Sequence, residues 1–75
     1  MKIRIVGYND LKEVASGLPD GMLELPEDAT AGAALAGLSL PESDTALFVN
    51  GRAARPDTPL QDGDTLVVFS PIAGG

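Results

Sequence analysis

Three short runs with a two-residue hydrophobic period set the limits on what this chain can become. Lys2–Tyr8 places Ile3 and Ile5 on one side and Arg4, Val6 and Tyr8 on the other, which reads as a strand with one buried side. Thr45–Val49 and Thr65–Phe69 repeat the pattern and send Leu47, Val49, Leu66 and Val68 to the buried side. Met22–Leu25 reads as a further short strand, ended by Pro26. The connection Asn9–Asp20 between the first two strands has room for one helical turn at Leu11–Ala15, broken by Gly17, Pro19 and Asp20-Gly21. Those two strands then form an antiparallel hairpin with a long loop.

One stretch suits an α-helix. Thr30 precedes Ala31–Leu38 and serves as its N-cap, with Glu27 and Asp28 expected at the positive end of the dipole. Leu35 and Leu38, three apart, turn one face towards the sheet. Gly32 and Gly37 weaken such a helix by up to about 1 kcal/mol each relative to alanine, so packing has to hold it. Asn50-Gly51 is a strong signal for a two-residue hairpin and supplies Thr45–Val49 with a partner at Arg52–Ala54. Pro56, Pro59 and the Asp62-Gly63-Asp64 turn lead into the last strand. One helix against one mixed sheet is an α+β layer arrangement, expected to form one domain over residues 1–69 with a tail at 70–75.

Composition narrows the chemistry. The 75 residues contain neither cysteine nor histidine, which removes disulfides, thiolate metal sites and the commonest general base. Eleven acidic residues against five basic ones give a net charge of −6, so nucleic acid and anionic membranes are poor partners. That charge fits plain solubility or a partner with a basic surface. Apolar runs of only a few residues, with nothing like a signal peptide, lead to the expectation of a cytoplasmic protein.

Two features remain after the core is filled. The alternation that buries one side of the sheet puts Val6, Tyr8, Phe48, Val67 and Phe69 on the other, and an apolar uncovered face is a candidate binding surface. Beyond Phe69 the chain reads Ser70-Pro71-Ile72-Ala73-Gly74-Gly75. Pro71 has no N–H for a sheet ladder, so the tail is expected to leave the body there. Six extended residues reach roughly 20 Å, and the side-chain-free Gly74-Gly75 end fits a narrow channel. Such an arm suits an enzyme that modifies C-termini.

With these elements in place the chain resembles the ubiquitin-like β-grasp sulfur carriers: the small subunit of molybdopterin synthase and the thiamine-pathway carrier. Val49-Asn50-Gly51, Pro59–Leu66 and Phe69–Gly75 carry the likeness, which extends over nearly the whole length. The resemblance implies that Gly75 is adenylated by an ATP-dependent activating enzyme and converted to a thiocarboxylate, with no bound cofactor and no metal. It also implies a carrier and co-substrate, not a catalyst. Its partners are then the activating enzyme and either a large synthase subunit or a thiazole synthase. Phe69, Val67, Val6, Tyr8, Phe48, Pro71 and Ile72 are the expected interface residues.

The long first loop, with Leu11-Lys12-Glu13 before Gly17, and the pair Phe69 and Pro71 resemble the molybdopterin-type carriers. Ser70 departs from the two consecutive prolines often found there, and Ile72–Gly75 suits thiamine carriers equally. A protein modifier joined to target lysines through Gly75 would use the same adenylate.

Overall fold

Residues 1–70 are described here by a computed structural model. The strands are β1 (Lys2–Tyr8), β2 (Met22–Glu24), β3 (Ala46–Val49), β4 (Arg52–Ala54) and β5 (Thr65–Phe69), and the helix is α1 (Ala31–Gly37). They form one mixed sheet in the order β2-β1-β5-β3-β4 with the helix packed on its inner side, the α+β β-grasp arrangement that the resemblance implies. β5 lies in the middle, parallel to β1 and antiparallel to β3, while β1–β2 and β3–β4 are antiparallel pairs.

The period-two reading of the strands holds. Ile3, Ile5, Leu47, Leu66 and Val68 are buried together with Leu35 of the helix, whereas Val49 and Leu38 are only partly buried and pack at the margin of this cluster. The core has further members drawn from outside the strands: Leu25, Ala29, Ala31, Ala34 and Leu60. Leu25 lies past the end of β2, yet its N–H donates to the Met1 carbonyl at 2.8 Å and its own carbonyl accepts from the Met1 amino group at 2.7 Å. β3 starts one residue later than expected, at Ala46. The Thr45 hydroxyl instead donates to the Pro41 carbonyl at 2.7 Å.

The first loop is not a helical turn over Leu11–Ala15. A 3-10 turn at Asn9–Leu11 is followed by a chain of bonds from residue i+3 back to i: Lys12 to Asn9, Val14 to Leu11, Ser16 to Glu13 and Leu18 to Ala15. This coil lies across the inner face of β1 at Gly7. A Cβ there would collide with the Leu11 carbonyl oxygen and stand 2.8 Å from Val14 Cγ1. Gly7 therefore lets the loop close over the end of the core, with Leu11, Val14, Ala15 and Leu18 packed against it.

α1 is capped by a neighbouring loop, and its Glu27–Asp28 pair lies upstream of the first turn, which contains no acid. The N–H groups of Ala31 and Gly32 donate to the carbonyls of Thr58 (2.9 Å) and Pro56 (2.7 Å), and the Thr30 hydroxyl oxygen accepts from the Ala33 N–H at 3.4 Å. Those are donors that a helix start otherwise leaves without partners. Gly32 thus has a packing role: a Cβ would come within 2.9 Å of the Pro56 carbonyl oxygen. The helix ends one residue before the expected boundary, with Leu38 as C-cap and Ser39 at φ 60°. Ser39 N–H bonds to Ala36 O and Leu40 N–H to Leu35 O, the paired bonds of a Schellman stop, formed here without glycine.

Two turns hold the sheet in register. Asn50 and Gly51 sit at φ 52° and 86°, as a two-residue hairpin requires, between the paired Val49 and Arg52. The Asn50 amide also donates to Asp64 Oδ1 at 2.9 Å and its oxygen accepts from the Thr65 N–H at 3.0 Å, tying that turn to the start of β5. Across the sheet, Asp62 Oδ1 accepts from the Lys2 N–H at 2.8 Å and Gly63 N–H donates to Lys2 O at 2.9 Å. The Asp-Gly-Asp turn is therefore a clamp on both neighbours of β5.

Candidate docking face and carrier terminus

The register assembles the five expected outer-face residues into one patch. Val6 pairs with Val67, Val67 with Phe48 and Phe48 with Ala53, making an apolar row across four strands. The next row is Tyr8, Phe69 and Ala46. Phe48 and Phe69 are diagonal neighbours on paired strands, and their rings stack with centroids 5.7 Å apart and planes 16° from parallel. Among the described residues no element covers these side chains, but they shield one another: Val6, Phe48, Val67 and Phe69 are half-buried, and Tyr8 is 55% exposed.

Beyond this patch on β1 lies Arg4, paired with Met22 on one side and Thr65 on the other. Sequence reasoning did not single out Ala46, Ala53 or Met22, because membership in the patch depends on which strands lie side by side. The periodicity of one strand fixes its faces and says nothing about its neighbours.

The same topology sets where the chain leaves the sheet. β1 and β5 run in parallel, so Tyr8 and Phe69 lie at the same end, and Ser70 follows directly from the aromatic row. Pro71, Ile72, Gly74 and Gly75 lie outside the described residues. Two open grooves lie away from this end. One of about 400 Å³ at the β2 edge is lined by Lys2, Leu18, Met22 and Leu23, and the other lies against β4. Neither includes an aromatic of the patch, so we place the candidate site on the flat outer face. Among the described residues no cluster of three or more acidic, histidine or cysteine side chains could hold a metal, and no helix is long and apolar enough to cross a membrane. The arrangement is suited to contact with another protein beside an emerging chain end.

Comparison with known proteins points the same way. A family model described as the ThiS family matches residues 7–75. No curated protein matches the sequence. Among solved structures, the chain is similar to a protein assigned as molybdopterin converting factor, subunit 1, from Pyrococcus furiosus, with 25% identity, 96% of this chain and 99% of that one covered, and a TM-score of 0.76. It is similar to small archaeal modifier protein 1 of Haloferax volcanii, with 26% identity, coverage of 95% and 98%, and a TM-score of 0.74. A ubiquitin of Caldiarchaeum subterraneum is 30% identical, with coverage of 100% and 98% and a TM-score of 0.60.

Proposed function

The chain belongs to the ThiS family, whose members are small carrier proteins and not enzymes, and from that premise we propose that it carries sulfur as a thiocarboxylate on Gly75 for molybdenum cofactor synthesis. The observation that carries this reading is the likeness, over nearly the full length of both chains, to molybdopterin converting factor, subunit 1. The family match runs through Gly75, and the aromatic face adjoins the point where the tail begins.

An ionised carboxylate is a poor electrophile at neutral pH. In the activating enzyme, an oxygen of the Gly75 carboxylate attacks the α-phosphate of ATP and expels pyrophosphate. A sulfur donor then displaces AMP from the acyl-adenylate. The thiocarboxylate transfers its sulfur to the pterin precursor, and water returns the carboxylate. This chain contributes the terminus and the docking face. It has no Gly-rich phosphate loop for ATP and no cysteine to carry sulfur as a persulfide. Phe69, with Val6, Tyr8, Phe48 and Val67, packs against the larger synthase subunit while Pro71 and Ile72 lead the tail into its active site.

A second reading is favoured by the likeness to small archaeal modifier protein 1. There a lysine amine displaces AMP from the same adenylate and an isopeptide bond forms at Gly75. A thiazole synthase in the thiamine pathway is the remaining partner that the resemblance to thiamine-type carriers implies.

Intact-protein mass spectrometry after incubation with the activating enzyme, ATP and a sulfur donor tests the proposal. Wild type gains the mass difference between sulfur and oxygen on its C-terminal peptide. Deletion of Gly75 abolishes the gain, because the carboxylate falls about 3.5 Å short of the nucleotide. An equal gain in the deletion variant overturns the carrier reading. Adding the larger synthase subunit with a pterin precursor, or a thiazole synthase with its substrate, assigns the acceptor by which mixture removes the sulfur.

A further inference from the structure

The sheet has two free edges, β2 and β4, and they are not equivalent. Backbone groups along an antiparallel pair point alternately towards the partner and away from it. The reciprocal bonds between Met1 and Leu25 turn the odd-numbered residues of β2 towards β1, so Met22 and Glu24 direct their N–H and C=O groups outwards. Part of that edge is closed. The Met22 N–H donates to the Pro19 carbonyl, and Pro26, next in the alternation, has no N–H and a carbonyl that accepts from Ala29 at 3.1 Å. Among the described residues, nothing bonds to the Met22 carbonyl or to the N–H and carbonyl of Glu24. A short window of sheet edge is thus left open. Beside it the groove of about 400 Å³ has apolar walls from Leu18, Pro19, Met22 and Leu23. Its charged lining is Asp20 and Glu24 against Lys2, which lies across from Glu24 on β1. β4 offers less. Only Ala53 turns its backbone groups outwards there, and the groove beside it is lined by Asn50, Arg52 and Thr58.

We propose that the β2 edge takes up an extended segment of a partner protein as an additional strand, with a lysine or arginine opposite Glu24 and aliphatic residues on either side of it. The window supplies the main-chain bonds of strand addition, and the groove supplies the selection of side chains. A residue opposite Glu24 stands on the same face of the sheet, where a cation pairs with the carboxylate. Its neighbours point to the other face, where Leu18 and Leu23 pack against the core. An acidic segment is repelled by Asp20, Glu24 and the net charge of −6. A second copy of this chain is a poor occupant. Two antiparallel β2 strands centred on Glu24 set two carboxylates face to face, and two centred on Leu23 need the Met22 N–H that Pro19 already holds. The inference stands apart from the carrier reading. Lys2 and Glu24 lie at the end of β1 away from Tyr8 and Phe69, so a segment held there leaves the aromatic row and the chain end open.

Nuclear magnetic resonance titration of the protein with two end-blocked peptides tests this, one of alternating valine and lysine, the other of alternating valine and glutamate. The lysine peptide shifts the backbone amides of residues 22–25 and slows hydrogen exchange at Glu24, while the amides of Ala53 and Phe69 stay in place. The glutamate peptide does neither. Glu24→Gln keeps the N–H but removes the charge, and weakens binding of the lysine peptide about two- to fivefold. Glu24→Pro also removes the N–H, which no bond within the sheet uses, and weakens binding about tenfold or more. Thermal unfolding of both variants stays near wild type, because the altered groups face outwards. Shifts centred on Ala53 or on the aromatic row, equal binding of the two peptides, or no shift with either one overturns the proposal. So does a Glu24→Pro variant that binds as well as Glu24→Gln. Sulfur loading of Gly75 is unchanged in both variants, so failure of the carrier reading shows separately.

Discussion

Val68 and Phe69 are consecutive residues of the central strand, and they face different surroundings. Val68 is fully buried among Leu47, Leu35 and the helix-side core, while Phe69 stacks on Phe48 over a face that no element among the described residues covers. The two sides of one sheet therefore divide the work. The inner side supplies the apolar burial that holds the described residues together without a disulfide. The outer side retains apolar area that folding alone would not demand, since a sheet covered on one side only can carry a polar open face equally well. Where a small domain keeps aromatics on its open side, their value is to be sought in association.

The sharpest way to break this division is to substitute the two sides in turn and follow the thermal midpoint of the isolated domain. Leu66→Ala removes a fully buried side chain from the centre of the sheet and should cost about 2–5 kcal/mol. In a domain this small that corresponds to a fall in midpoint of roughly 10–20 °C or more, or to loss of the folded state. A fall of only a few degrees would mean that the inner side is not where stability resides.

Gly7→Ala tests the margin of the inner side. The added methyl collides with the Leu11 carbonyl, so the first loop must lift or β1 must shift, at a cost of roughly 1–3 kcal/mol. Hydrogen exchange should quicken in residues 9–18 more than in α1. Uniform quickening would show that the loop and core open as one unit.

Phe69→Ala should have the smallest effect on folding. It forfeits the stack on Phe48 and some half-buried area, about 1 kcal/mol, and leaves the core intact. Binding to a partner should suffer more than folding does, since buried aromatic anchors at interfaces commonly lose 2 kcal/mol or more on truncation. Titration calorimetry against the larger synthase subunit proposed above measures that loss. If Phe69→Ala unfolds as readily as Leu66→Ala, the two sides are not distinct in the way described.

What could be read from the sequence follows the range of each interaction. Periodicity is local, so the inward set Ile3, Ile5, Leu47, Leu66 and Val68 was legible, as was the face shared by Val6, Tyr8, Phe48, Val67 and Phe69. Asn50-Gly51 announced its hairpin because few residue pairs tolerate two positive φ values. Leu25 and Leu60 were not legible as core, since each is buried by segments distant in sequence and lies outside any periodic run. The stop at Ser39 was hidden for a different reason: serine seldom takes the left-handed conformation that glycine usually provides there. Arg4 read as an ordinary exposed strand residue until the register gave it Met22 and Thr65 as neighbours.

The placement of β5 has a consequence for the order in which the chain can acquire structure. This strand is made last of the five, yet both halves of the sheet reach each other only through it. Before residues 65–69 leave the ribosome, β1–β2 and β3–β4 are two separate hairpins, and isolated hairpins are marginal in water. The domain closes by recruiting a late segment to its middle, a step of long sequence separation and therefore slow relative to local turns. A chain ended before β5 thus lacks the fold as well as the tail. It meets the cell as an unfolded polypeptide open to proteolysis, and it cannot persist as a folded competitor that occupies a partner without carrying anything.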